Sequence, residues 1–153
     1  MVIWTGNDGV GTRDYQSYRR DYFVRSERKP DLLGSADSEF LGDASRYNPE
    51  ELLVAALSSC HMLWYLHLCA VHGIIVEDYK DDAEGEMVES ADEGGRFTSA
   101  VLHPVVTISG GDRNVARELH DVAHRMCFIA NSVNFPVRHQ ATITTRNYRN
   151  QKT

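Results

Sequence analysis

Three cysteines stand in this chain of 153 residues, at positions 60, 69 and 127. A thiol can pack, bind metal, attack an electrophile or cycle through a disulfide, and spacing narrows the choice. Cys60 and Cys69 share one predicted helix, nine residues apart. That spacing turns them about 180° from each other, so they cannot pair. Cys69 therefore reads as packing. Cys60 and Cys127 fall on different predicted helices, each in an apolar neighbourhood, and can face one another if the helices pack. Such a pair can alternate between two thiols and a disulfide, one sulfur attacking and the other resolving. Burial alone raises a thiol pKa and silences it, and Cys60 lies too deep in its helix to gain much from the N-terminal dipole. A reactive Cys60 thus requires a nearby cation, drawn from Arg19, Arg20, Arg46, Arg125 or the histidines.

The elements that must position these sulfurs follow from local signals. Asn48-Pro49-Glu50-Glu51 is a helix start, with Asn at the N-cap, Pro at the first helical position and two acids in the first turn. Gly73 is a natural stop, so a long helix is predicted over 48–73. It is apolar on nearly every side and is expected to be covered all round, by a partner sheet and a partner subunit. Residues 1–47 read as strands and turns, and 74–110 as further strands. Asp92-Glu93-Gly94-Gly95 marks a hairpin turn, and Pro104 an edge or a bulge. A second helix carrying Cys127 is predicted over 112–132, with an apolar stripe of Val115, Leu119, Val122, Ala123 and Met126. A final strand spans 136–146. This order is α+β, read as one domain over 1–153.

Composition removes several function classes. A net charge of −6 offers no basic face for nucleic acid or for an anionic membrane surface. The apolar run from Leu52 to Ile75 is interrupted by Ser58, Ser59, His61, His67 and His72, unlike a membrane-spanning helix. No signal peptide is legible at the N-terminus, and an odd cysteine count argues against a disulfide framework. A cytoplasmic protein is expected.

Two blocks resemble the two cysteine motifs of the OsmC/Ohr family, the osmotically inducible and organic hydroperoxide resistance proteins. The first is Tyr47-Asn48-Pro49-Glu50-Glu51-Leu52-Leu53 with Ala56-Leu57-Ser58-Ser59-Cys60-His61-Met62-Leu63. The second is Ala123-His124 with Cys127-Phe128-Ile129-Ala130-Asn131-Ser132-Val133-Asn134-Phe135-Pro136-Val137. The resemblance implies an intertwined α+β homodimer of antiparallel sheets around a long central helix. It implies a peroxidase in which Cys60 attacks an organic hydroperoxide and Cys127 resolves the product to a disulfide, reset by a dithiol such as a lipoyl protein. No cofactor and no metal are implied. It also implies an arginine from an early strand, best matched by Arg20 although Arg19 is adjacent, and the glutamate of the Asn-Pro-Glu segment, Glu50. Glu50 lies ten residues before Cys60, about 15 Å along a continuous helix. It must act through the arginine, come from the other subunit, or the helix must break. The context Cys60-His61-Met62, the extra Cys69 and the tryptophan and histidines of the first helix point to a less characterised branch.

Three other readings compete. Cys60, His61, His124 and Cys127 include metal-ligand types, but adjacent helical residues point about 100° apart and suit one metal poorly. Cys60, His124 and Asn131 could form a hydrolase triad. A non-catalytic binding or structural dimer would leave both cysteines as core residues. Among the histidines, mostly readable as surface or core residues, only His61 is singled out for mutation.

Overall fold

The chemistry of Asn48 sets where the long helix starts. Its Oδ1 accepts the backbone N–H of Glu51 at 2.7 Å, and Glu51 Oε2 accepts the N–H of Asn48 at 3.0 Å. This reciprocal box satisfies two donors that a helix end leaves free. The helix, α1 (Pro49–Val71), runs unbroken to the expected stop, where Gly73 adopts φ +69° and the N–H of Ile74 returns to the Cys69 carbonyl. One ladder of residues, Leu57, His61, Tyr65 and Cys69, is buried, one side chain per turn. Leu63 and Val71 are 63% and 67% exposed, so one chain by itself leaves part of this apolar helix uncovered. By length and composition alone α1 could cross a membrane.

The computed structural model describes residues 1–90 and 94–146. It divides into two compact units, Met1–Leu53 and Val54–Thr153. The first carries an antiparallel sheet of β1 (Val2–Trp4), β2 (Tyr22–Val24) and β3 (Leu32–Gly34). Beside it, Asp21 is buried, salt-bridged to Arg19 and Arg46, and accepts a hydrogen bond from Ser35. A buried carboxylate with this many partners is compensated for its lost hydration.

The second unit holds two sheets among its described residues. β4 (Ile75–Asp81), β7 (Pro104–Gly110) and β9 (Thr142–Thr145) form one. β5 (Glu84–Ser90), β6 (Gly94–Leu102) and β8 (Val137–His139) form the other. The long strand expected around Pro104 leaves one sheet and enters the next at His103, with Pro104 as the first residue of β7. Asp81 braces this corner: its Oδ1 accepts the His103 N–H, and its Oδ2 accepts the Ser58 hydroxyl of α1. The hairpin residues Asp92 and Glu93 lie outside the described residues; β5 and β6 pair antiparallel on either side of them.

Two expectations change here. α2 (Arg113–Met126) is capped at its start by Asp112, but it ends before Cys127 rather than running on to 132. Cys127 adopts ψ 112°, and its sulfur accepts the Ala130 N–H at 3.4 Å, which diverts the backbone into a short 3-10 turn, Ala130–Ser132. The single final strand becomes two, β8 and β9, each joining its sheet in parallel. The sheets are therefore mixed, because the α2 crossover returns the chain in the direction it left. The buried face of α2 is Ala116, Leu119, His120 and Ala123, whereas Met126 is exposed.

Candidate active site

Cys60 sits on α1, half-buried, and Cys127 sits at the capping position that ends α2, almost wholly buried. Cys60 shares its surroundings with Phe128 and Ile129, the two residues that follow Cys127, and the Cys60 side chain is among the groups that raise the Cys127 pKa. Burial first, then the Cys60 side chain, raises the Cys127 thiol above its ordinary pKa, while the N–H groups of Ala130 and Ile129 pull it down. All three cysteines are free thiols. Cys69 lies in the main core, its pKa raised by burial, and belongs to packing.

The unequal exposure of Cys60 and Cys127 assigns them different positions. Cys60 lines an open apolar cavity of about 610 Å³ together with Ala56, Ser59, Leu63, Trp64, His67, Phe128 and Ile129. Trp64 stands edge-on to Phe128, centroids 5.6 Å apart, and edge-on to His67 at 5.9 Å. An apolar molecule entering this cavity meets Cys60 on its wall, whereas Cys127 is buried and does not line it.

Arg20 and Glu50 belong to the first unit. Arg20 lies over the rings of Tyr15 and Tyr18, 4.3 and 4.2 Å from their centroids, and donates to the carbonyls of both residues. Arg19 is committed instead to Asp8 and Asp21. Glu50 opens α1 and raises the pKa of Tyr22, a shift caused mainly by that tyrosine's burial. Since α1 is unbroken, the option of a helix break between Glu50 and Cys60 is removed. Glu51, by contrast, is occupied in the helix cap.

The residues that the sequence reading undervalued are histidines. His61 Nε2 and His120 Nδ1 share a hydrogen bond of 3.0 Å, both rings wholly buried. His139 lies 5.4 Å from His61 and 5.8 Å from His120, centroid to centroid, and its Nε2 reaches Asp121 at 3.1 Å. His124 packs 5.8 Å from His139. Burial lowers the pKa of His61 to about 4 and of His120 to about 3, so both are neutral at pH 7. A signal existed: His61 occupies the fourth-residue ladder of buried side chains on α1, and His120 follows Leu119 on the apolar face of α2. Among the described residues, no group of three or more His, Cys, Asp or Glu side chains converges as a metal site.

The family model of the OsmC-like proteins matches residues 42–142, a span containing α1, both sheets' central strands and both cysteines of the pair. The chain belongs to the OsmC-like protein family. An OsmC-like protein of unknown function from Vibrio cholerae is 34% identical, with a TM-score of 0.84 over 93% of this chain and 96% of that one. An organic hydroperoxide resistance protein OsmC from Legionella pneumophila has the same fold at 22% identity, TM-score 0.64, over 94% and 96% of the two chains. An organic hydroperoxide resistance protein from Elizabethkingia anophelis does so at 17% identity, TM-score 0.61, over 95% and 96%. At those identities the likeness concerns the fold. No curated protein matches the chain.

Proposed function

We propose that this OsmC-like protein is a thiol peroxidase that reduces organic hydroperoxides. The observation that carries the reading is the half-buried Cys60 on an apolar cavity wall that it shares with Phe128 and Ile129, the residues following the buried Cys127. The Cys60 thiolate attacks one oxygen of ROOH, the O–O bond breaks, and the alkoxide leaves and takes a proton to become ROH. The sulfur is now a sulfenic acid. Cys127 attacks it, a disulfide forms and water leaves; an external dithiol, of the kind a lipoyl protein carries, then returns both thiols and becomes a disulfide itself. The thiolate needs a cation that favours it and orients the peroxide, a role the family resemblance assigns to Arg20, with Glu50 fixing the guanidinium. Leu63, Trp64 and Phe128 favour bulky apolar peroxides over hydrogen peroxide. The exposed outer face of α1 supports a homodimer in which a second copy covers Leu63 and Val71. An odd cysteine count accords with a reducing, cytoplasmic setting.

The test counts free thiols by mass spectrometry after mixing reduced protein with cumene hydroperoxide, with Cys60→Ser as control. Rapid loss of two thiols into a Cys60–Cys127 disulfide, absent in the control, is expected. Thiols that stay reduced under excess peroxide would favour the non-catalytic binding dimer.

A further inference from the structure

The buried histidine pair has no part in the peroxide chemistry described above, and it is expensive to keep. Two imidazoles are removed from water, and each retains a buried ring nitrogen without a hydrogen-bond partner, His61 Nδ1 and His120 Nε2. Aliphatic side chains would fill the same space without that penalty. What an aliphatic pair cannot supply is direction: a 3.0 Å hydrogen bond between ring nitrogens fixes the rotation and register of one helix against the other, and apolar contacts slide.

The register matters because of where the pair stands. His61 directly follows Cys60 on α1. His120 lies on α2 seven residues before Cys127, the residue that caps the helix, so the two are about two turns apart along it. The ring of His120 is held further by stacking on Tyr65, 3.8 Å between centroids, one turn along α1 from His61. A disulfide closes only when Cα atoms come within about 4.4–6.8 Å in a specific orientation. A shift of about 1 Å can reduce an intramolecular rate by two orders of magnitude.

We infer that His61 and His120 are a positioning pair, whose hydrogen bond holds α1 against α2 so that Cys60 and Cys127 stand ready to close a disulfide. The inference rests on the thiol-pair reading above, but its test needs no peroxide. In glutathione redox buffers the Cys60 thiolate attacks glutathione disulfide and expels one glutathione thiol; Cys127 then displaces the second. Two protein thiols are oxidised and one glutathione disulfide is reduced. The fraction of Cys60–Cys127 disulfide at equilibrium, read by mass spectrometry on the full chain, gives the effective concentration of the two thiols.

Two substitutions at one site separate direction from packing. Asn places an amide atom at the position of the His120 Nδ1, three bonds from Cα, whereas Leu fills similar volume with no polar atom. His120→Leu should lower the effective concentration about tenfold or more, raising the reduction potential by about 30 mV per factor of ten. His120→Asn should stay within about threefold of the unsubstituted chain. Equal values for the two variants would overturn the inference. Should neither fold, His61→Gln against His61→Met makes the same comparison from α1, because the Gln Nε2 mimics the bonded ring nitrogen. Failure of the unsubstituted chain to form the disulfide would overturn both this inference and the peroxidase. Disulfide formation in the buffer without reaction toward hydroperoxide would remove the peroxidase alone.

Discussion

His61 Nε2 lies 3.0 Å from His120 Nδ1, and the other nitrogen of each ring is buried without a partner. Only neutral rings suit this arrangement: one donates, the other accepts, and a proton added to either charges a site closed to water. The neighbours facing the pair are His139 on β8, His124 on α2 and, behind His139, Asp121. Another charged imidazole there would repel.

Acid should therefore destabilise the protein in a defined window. Both folded pKa values are depressed, to about 4 and about 3, below the ordinary 6.5. Between those limits the unfolded chain binds more protons than the folded one, so stability falls as pH drops below 6.5. His61 alone contributes a loss on the order of 3 kcal/mol by pH 4. Urea unfolding at pH 7.5, 6 and 5 should show this decline, and His120→Leu should flatten it. A variant with an undiminished slope would put the acid sensitivity elsewhere.

Cys127→Ser should separate the two halves of the thiol cycle. The cavity and Cys60 remain, so the first equivalent of cumene hydroperoxide should be consumed at a rate within about threefold of the unsubstituted chain. The product should then be a sulfenic acid, trapped by dimedone on Cys60, and turnover with a dithiol should fall by about a hundredfold or more. Normal cycling would show that Cys127 does not resolve.

Removing the reciprocal cap should weaken the helix that carries Cys60. Asn48→Ala deletes the acceptor for Glu51 N–H and leaves Glu51 without its counterpart geometry, a change of about 1 kcal/mol. A lowered urea midpoint with an unchanged slope would record it. No shift in midpoint would mean that the first turn of α1 is held by packing instead.

The start and stop of α1 were legible because the signals are local: Asn48 and Pro49 at one end, Gly73 with its positive φ at the other. The two cysteine motifs were legible as a resemblance. What escaped depends on contacts between residues distant in sequence. The end of α2 is marked by an extended Cys127 whose sulfur accepts the Ala130 N–H, for which helical periodicity carries no sign. The parallel pairing of β8 and β9 depends on where α2 delivers the chain. His120 was missed because a histidine among Arg117, Glu118 and Asp121 reads as surface, whereas its burial is decided by Tyr65 and His61 from another helix.

Trp64 should decide which peroxides reach Cys60. It forms one wall of the cavity and stands edge-on to Phe128, while Cys60 lies one turn earlier on the same helix. Trp64→Ala removes most of the aromatic surface against which a cumyl or lipid chain would pack, yet leaves the sulfur in place. The reaction with hydrogen peroxide, which has no apolar group to bury, should change by no more than about threefold. Reaction with cumene hydroperoxide should slow by about tenfold or more in kcat/KM, the scale of losing one to three kcal/mol of apolar contact. The ratio of the two rates is the useful quantity, because a general loss of folding would lower both together. An unchanged ratio would mean that the cavity does not select the substrate and that preference for organic peroxides has to come from residues outside it.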